Sequence, residues 1–251
     1  MKNSNKCIAA FLISMFSVAC VAQEDDGPVG FTYVTYYVCD VATQDAMDEI
    51  VEHYEKPVFD RYVEEGKLMA WGYLSHFTGG RWRKAMYHAS PTIEEAVNVQ
   101  IEIFQEIYRD NPAAGQARSE ACAAHDDYIW ALDQGSGPGT DRGDVSMSVY
   151  YVCDFKREGR ADEIVETTVA PVLNQLVSDG KLMSWGWSSH RIGGKYRRLH
   201  TMTGTDHAAT LGARRELLQS LNDSSEETMD EFSDICPAHS DYLWNIVHEA
   251  P

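Results

Sequence analysis

GKLMAWGYLSH, residues Gly66 to His76, returns as GKLMSWGWSSH at Gly180 to His190. The offset that superposes them, 114 residues (153 − 39), also carries YYVCD at Tyr36–Asp40 onto YYVCD at Tyr150–Asp154. It carries Gly79-Gly80 onto Gly193-Gly194, Cys122 onto Cys236 and His125 onto His239 as well, with no net insertion between the copies. A period this long describes a duplicated domain rather than a solenoid, because each copy can bury a small core of its own. The first repeat is read as 23–133 and the second as 145–251. Between them QGSGPGTDRGD, Gln134 to Asp144, has the glycines, proline and charges of a flexible connection.

Within a copy the pattern runs strand, helix, strand, strand, helix, strand. FTYVTYYVCD is rich in aromatic and β-branched residues and suits a first strand. Met47, Ile50, Val51, Tyr54, Val58 and Tyr62 then trace one face of an amphipathic helix. Pro57 and Pro171 interrupt it at equivalent places, which predicts a kink or a restart. GKLMAWGYLSH reads as the second strand, FTGG as a turn and RWRKAMYHAS as the third strand. A helix with Pro91 at its start and acids in its first turn follows. DYIWAL, matched by DYLWNI, closes the unit.

A βαββαβ unit is the ferredoxin-like arrangement, with strand order 4-1-3-2 and helices on one face. Two such units in one chain can cover their bare faces by packing sheet to sheet as an intramolecular α+β barrel. On element order, duplication and the aromatic second strand, the chain resembles the dimeric α+β barrel (ferredoxin-like) superfamily, tandem duplicated. That resemblance covers essentially all of the mature chain. It implies a fold shared by cofactor-free monooxygenases, haem-handling enzymes and isomerases, so fold alone says little about reaction. The implied strand order brings the end of strand 1 beside the start of strand 4, pairing Cys39 with Cys122 and Cys153 with Cys236. The other reading of these cysteines is metal ligation by the CxxH pairs Cys122/His125 and Cys236/His239, which needs reduced thiols and further ligands. The expectation is disulfides and no metal.

The N-terminus sets Lys2 and Lys6 before an apolar run from Cys7 to Val21 that ends in small residues, the layout of a signal peptide over 1–22. Periplasmic or extracellular export is the expectation, with a lipoprotein carrying its lipid on Cys20 as the alternative. Removing both lysines takes the net charge from -18 to -20. A chain so acidic is repelled by nucleic acid, and the apolar run is too short for a transmembrane segment. A monomer or a further homo-oligomer is the expected assembly.

Alternation divides the strand residues into two faces. On the second strand Met69, Trp71, Tyr73 and Ser75 match Met183, Trp185, Trp187 and Ser189, a bulky face opposite a mostly small one. On the third, Trp82, Lys84, Met86 and His88 match Tyr196, Arg198, His200 and Met202 in the order of the repeat's alternate positions. Candidate ligand-binding residues are Tyr36, Trp71, Tyr73, Lys84, His88, Tyr150, Trp185, Trp187, Arg198 and His200; His76 and His190 are the candidate catalytic bases. Core filling is the plainer reading of the tryptophans, and strand-end capping that of the histidines. His125 and His239 stand two residues before a carboxylate and read as local structure. The cationic segments RWRK and KYRR suit either an anionic group or the chain's own acids.

No GxSxG elbow, HExxH helix, P-loop, GxGxxG turn or CxxCH haem attachment is present. The leading expectation is an exported protein that binds a small, partly apolar molecule, anionic in one form of the reading, with cofactor-free acid/base or oxygen chemistry if it is an enzyme. Haem held by His88, His200 or a repeat histidine is the second reading, and a non-catalytic envelope or assembly protein the third.

Overall fold

The computed structural model describes residues 30–136 and 141–250. The expected signal peptide and Cys20 lie outside the described residues. The chain runs β1 (Gly30–Val38), α1 (Asp45–Ile50), α2 (Lys56–Glu64), β2 (Ala70–Thr78), β3 (Lys84–Ser90), α3 (Ile93–Asp110), α4 (Pro112–Ala121) and β4 (Ala124–Gly135). The second half repeats this as β5 (Val145–Val152), α5 (Glu158–Ile164), α6 (Ala170–Ser178), β6 (Ser184–Ile192), β7 (Arg198–Gly204), α7 (His207–Ile235) and β8 (Ala238–Ala250). The strands form a closed antiparallel barrel in the order β1-β3-β2-β8-β5-β7-β6-β4. Each half contributes the expected 4-1-3-2 sheet, and the seams are β2 with β8 and β4 with β6. Closure leaves no strand edge unpaired.

Helices pack outside the barrel, so both faces of every sheet are covered. Three cores result. Met47, Phe59, Trp71, Tyr73, Met86 and Ile103 fill the layer under the first helices. Ile164, Leu173, Trp185, Trp187, Met202 and Leu217 fill the equivalent layer of the second half. Tyr36, Trp82, Tyr128, Trp130, Tyr150, Tyr196, Tyr242 and Trp244 fill the barrel.

Pro57 and Pro171 produce the predicted restart in a specific form. A proline has no N–H for the preceding turn, and the helix answers with one wide π-turn, Val51–Glu55 in the first half and Val165–Val169 in the second. Lys56 N–H reaches back five residues to the Val51 carbonyl, and Ala170 N–H to that of Val165. The extra residue rotates the buried face. Tyr54, expected inside, is 40% exposed, while Glu55 and Phe59 are fully buried.

The strands differ from the reading in detail. Gly66 and Gly180 end their helices with φ of +70° and +71°, so β2 and β6 start four residues later. Trp82 and Tyr196 precede β3 and β7, where alternation does not apply; they turn into the barrel, away from Lys84, Met86 and His88 or Arg198, His200 and Met202. The helix α4 had no counterpart in the reading. Near the linker's far end, Arg142 pairs with Glu249 at 3.0 Å and donates to the Tyr87 hydroxyl at 3.2 Å, so that end is tied to the barrel.

The Gly-Gly turns clasp the two halves. Gly79 has φ +139°, and an added Cβ would meet the Asp241 carbonyl at 2.6 Å; Gly80 sits on the Tyr242 hydroxyl. Gly193 and Gly194 sit on Tyr128 in the same way. Only glycine allows the turn of one half to lie flat on the last strand of the other. Both disulfides form as the resemblance implies, Cys39–Cys122 and Cys153–Cys236, each spanning 83 residues of chain.

Candidate functional site

His76 lies near the end of β2 opposite Trp244 of β8, and His190 near the end of β6 opposite Trp130 of β4. Each imidazole therefore stands on a seam between halves, at the barrel end that carries the Gly-Gly turns. The His76 ring meets Trp244 edge-on at 6.1 Å and Tyr242 at 6.3 Å. His190 meets Trp130 and Tyr128 edge-on, both at 6.0 Å. Behind each histidine the tyrosine and tryptophan are stacked at 5.1 Å. Between the two walls Tyr36 and Tyr150 meet edge-on at 5.4 Å, and Trp82 stacks on Tyr36 at 4.2 Å. The result is an aromatic interior with one imidazole on each opposed wall.

Among the tryptophans, hydrogen bonding sets Trp130 and Trp244 apart from those of the helix layers, where His88 Nδ1 and His200 Nε2 are nonetheless also buried without a partner. Of the six tryptophans, four have a partner for the indole N–H. Trp71 donates to Asp60 (2.8 Å), Trp185 to Asn174 (2.9 Å), Trp187 to Asp162 (2.9 Å) and Trp82 to Asp126 (2.7 Å). Trp130 and Trp244, inside the barrel, have none. The Trp130 indole approaches the Tyr36 hydroxyl outside hydrogen-bonding geometry. Both ring nitrogens of His76 and Nε2 of His190 are also buried without a partner. A buried polar group left unpaired costs about 1–3 kcal/mol, so these atoms mark a place where water or a ligand supplies the missing partners.

Burial first, and then the cations Arg83 and Arg197, hold the His76 and His190 pKa values below the ordinary 6.5. Both imidazoles are neutral at pH 7 and able to accept or donate one hydrogen bond per nitrogen. Burial pushes the Tyr36 and Tyr150 hydroxyls far above their usual range, so they stay protonated.

The structure divides the candidates between two places. Tyr36, Tyr150, His76 and His190 belong to the barrel. Trp71, Tyr73, Lys84, His88, Trp185, Trp187, Arg198 and His200 face the helices. There Lys84 Nζ lies 2.5 Å from Asp48 Oδ1 and 3.0 Å from the Ser75 hydroxyl, and Tyr73 donates to the same Asp48 oxygen at 2.7 Å. Arg198 makes a two-point pair with Asp162, both contacts at 2.6 Å, beside Trp187. The cations of RWRK and KYRR are thus largely engaged with the chain's own acids, Arg81 with Asp126 and Arg197 with Glu158 included. His125 and His239 pair with Asp127 and Asp241 on their own strands.

Haem, allowed by the superfamily resemblance, does not fit His88 or His200 as they stand. His88 is 1% exposed, stacked on Tyr33 at 5.5 Å with Nε2 on Gln100; His200 is 6% exposed and flanked by Trp185 and Trp187. Packed side chains enclose both, leaving no slot for a macrocycle. Among the described residues no group of three His, Cys, Asp or Glu is placed to hold a metal, and no helix is long and apolar enough to cross a membrane.

Tyr128, Trp130, Tyr242 and Trp244 were absent from the candidates. Their signal was available in the twice-written DYxW, which the strand reading treated only as a closing strand. A surface cleft of about 330 Å³ lies elsewhere, between α7 and the Gly180–Met183 turn. It opens where Ala209, Gly212 and Ala213 stand in place of Glu95, Asn98 and Val99 of the first half.

No protein-family description and no curated protein matches the chain. Solved structures do. A candidate monooxygenase from Lactobacillus acidophilus superposes with TM-score 0.60 at 5% identity, covering 88% of this chain and 95% of its own. An anthrone oxidase-like protein gives 0.58 at 10% identity, covering 88% and 92%. A mutant chlorite dismutase from Candidatus Nitrospira defluvii gives 0.54 at 7% identity, again covering 88% and 92%. Such identities carry the fold and leave the chemistry to the residues in place. The chain has the dimeric α+β barrel fold, with both halves of the barrel on one polypeptide.

Proposed function

We propose that this is an exported small-molecule-binding protein whose ligand seats at the barrel mouth, the end that carries the Gly-Gly turns, against the aromatic rings between the His76–Trp244 and His190–Trp130 pairs. One observation carries the reading: the tryptophans of the helix layers are hydrogen-bonded, whereas Trp130 and Trp244 and the histidines beside them offer unpaired buried nitrogens. The ligand is partly apolar, to lie among the rings, and carries an oxygen acceptor for the indole N–H groups. Neutral histidines on both walls suit cofactor-free acid/base chemistry, including activation of a bound molecule toward oxygen, if the protein turns its ligand over. Export is supported by the signal-like N-terminus and by two disulfides, one in each half.

Native mass spectrometry of protein purified from its source identifies the ligand, and calorimetry measures its affinity. Trp130→Phe with Trp244→Phe removes both N–H donors and is expected to weaken binding at least about tenfold, from one lost buried hydrogen bond or more. Trp71→Phe, on the other side of the sheet, should lower stability and leave affinity alone. Equal affinity in the double variant overturns the reading. Haem titration is expected to give no Soret shift; a Soret band abolished by His88→Ala or His200→Ala would move the function to the haem alternative.

A further inference from the structure

The two mouth histidines are placed alike and wired differently. Arg197 Nη1 lies 2.7 Å from His190 Nδ1. A guanidinium donates hydrogen bonds and accepts none, so Nδ1 must be the acceptor and the ring proton of the neutral imidazole must sit on Nε2. Arg197 is itself held by Glu158, with Nε at 2.6 Å and Nη2 at 3.3 Å from its two carboxylate oxygens. Arg83 occupies the equivalent position in the first half, but Gln44 replaces Glu158. Arg83 makes one bond, to the Gln44 oxygen at 3.0 Å, and both His76 nitrogens remain unpaired. The Gly79 backbone approaches His76 and the Gly193 backbone His190, each outside hydrogen-bonding geometry, so the contact is common to both halves.

We infer that Glu158 and Arg197 lock His190 as an Nε2–H donor, so that the ligand presents an acceptor oxygen to this wall, while His76 keeps a free lone pair and serves as the proton acceptor of the opposite wall. The inference rests on the barrel-mouth reading above and deepens it. His190 and Trp130 are register partners on adjacent strands and offer two donors and no acceptor. A carbonyl, carboxylate or phenolate oxygen satisfies both, whereas an ammonium group satisfies neither. Trp244 and His76 combine two donors with one lone pair, and the lone pair can take a proton from a bound O–H or acidic C–H. Arg197 and Glu158 act through His190 and are positioning residues.

The test is made on the full chain, labelled with nitrogen-15 and free of ligand, at pH 7.5. Long-range proton–nitrogen correlation spectra assign each ring, with His76→Gln and His190→Gln identifying the signals. The expected result is the Nε2–H pattern for His190, with Nδ1 shifted as an acceptor, and its loss toward tautomer averaging in Glu158→Gln, which installs the first-half residue. Arg197→Met should do the same, Arg197→Lys should restore part of the pattern, and His76 should not respond. An Nδ1–H pattern at His190, or a spectrum indifferent to both Glu158→Gln and Arg197→Met, overturns the inference. Because the tautomer is read without ligand, that failure is distinct from unchanged affinity in the Trp130/Trp244 double variant, which overturns the site itself.

Discussion

Glu55 and Arg118 of the first half occupy the positions of Val169 and Phe232 in the second. Glu55 is 0% exposed, with Oε1 3.1 Å from Arg118 Nε and also accepting from the Tyr108 hydroxyl, while Oε2 has no partner. The Arg118 guanidinium donates to the Tyr37 hydroxyl and lies over the rings of Tyr37 and Phe104, at 4.7 and 4.8 Å. In the second half Phe232 meets Tyr151 edge-on at 5.4 Å, and hydrocarbon fills the same space. Both halves keep the π-turn, the helix order and the disulfide. The frame therefore does not depend on the ion pair, in keeping with the general finding that a buried pair and an apolar replacement are energetically close, whereas half a pair is costly.

The sharpest way to break the comparison is through what the halves share. Replacing Cys39 and Cys122 by alanine, or Cys153 and Cys236, frees a loop of 83 residues in either case. Each double variant should lose up to about 4.5 kcal/mol of unfolding free energy by the loop-entropy relation, measured by denaturant titration. A loss in one half only would show that the halves do not fold as equivalents.

Next in size is the half-specific charge. Arg118→Met leaves Glu55 buried without its cation and should cost about 3 kcal/mol. Adding Glu55→Val and Arg118→Phe together, which writes the second half into the first, should return stability to within about 1 kcal/mol of the parent. Failure of the double variant to recover would mean that the surrounding rings require the charge.

Acid titration gives a third comparison. Burial lowers His88 and His200 to about 4 from the ordinary 6.5. The unfolded chain binds the extra protons between those values, so each histidine contributes stability that is whole above pH 6.5 and is lost as pH falls toward 4. The loss is about 3 kcal/mol per group. Glu55 works in the opposite sense: burial raises its pKa, so its unfavourable contribution appears as pH rises through its ordinary value. His200→Leu and His88→Leu should therefore each flatten the stability profile between pH 6.5 and 4 by a similar amount, since Glu55 remains in both variants. Urea midpoints across that range check it, and a profile as steep as the parent's in either variant would sink the assignment.

Much of the frame was legible from repetition alone. Two copies at one offset, each with a β-α-β-β-α-β order, imply two sheets with one bare face apiece, and the barrel follows from covering them. The disulfide partners came with that topology. Glu55 was illegible for a local reason: the wide turn before Pro57 inserts a residue into the helical period and moves position 55 inward in place of 54. Trp82 and Tyr196 were misplaced because alternation was extended past the start of β3 and β7.

The sequence by itself determined the duplication, the element order and the residues that recur in both halves, because these depend on pattern and period within one stretch of chain. Only the tertiary structure decided which face of each strand lines the barrel. Both faces are apolar enough to be buried, one by helices and one by the opposite sheet, so alternation marks two sides without saying which is inside. The same is true of the mouth. His76 and His190 are written alike, and their difference arises from Gln44 and Glu158, more than thirty residues away, where the fold brings an arginine and its carboxylate against one ring and not the other.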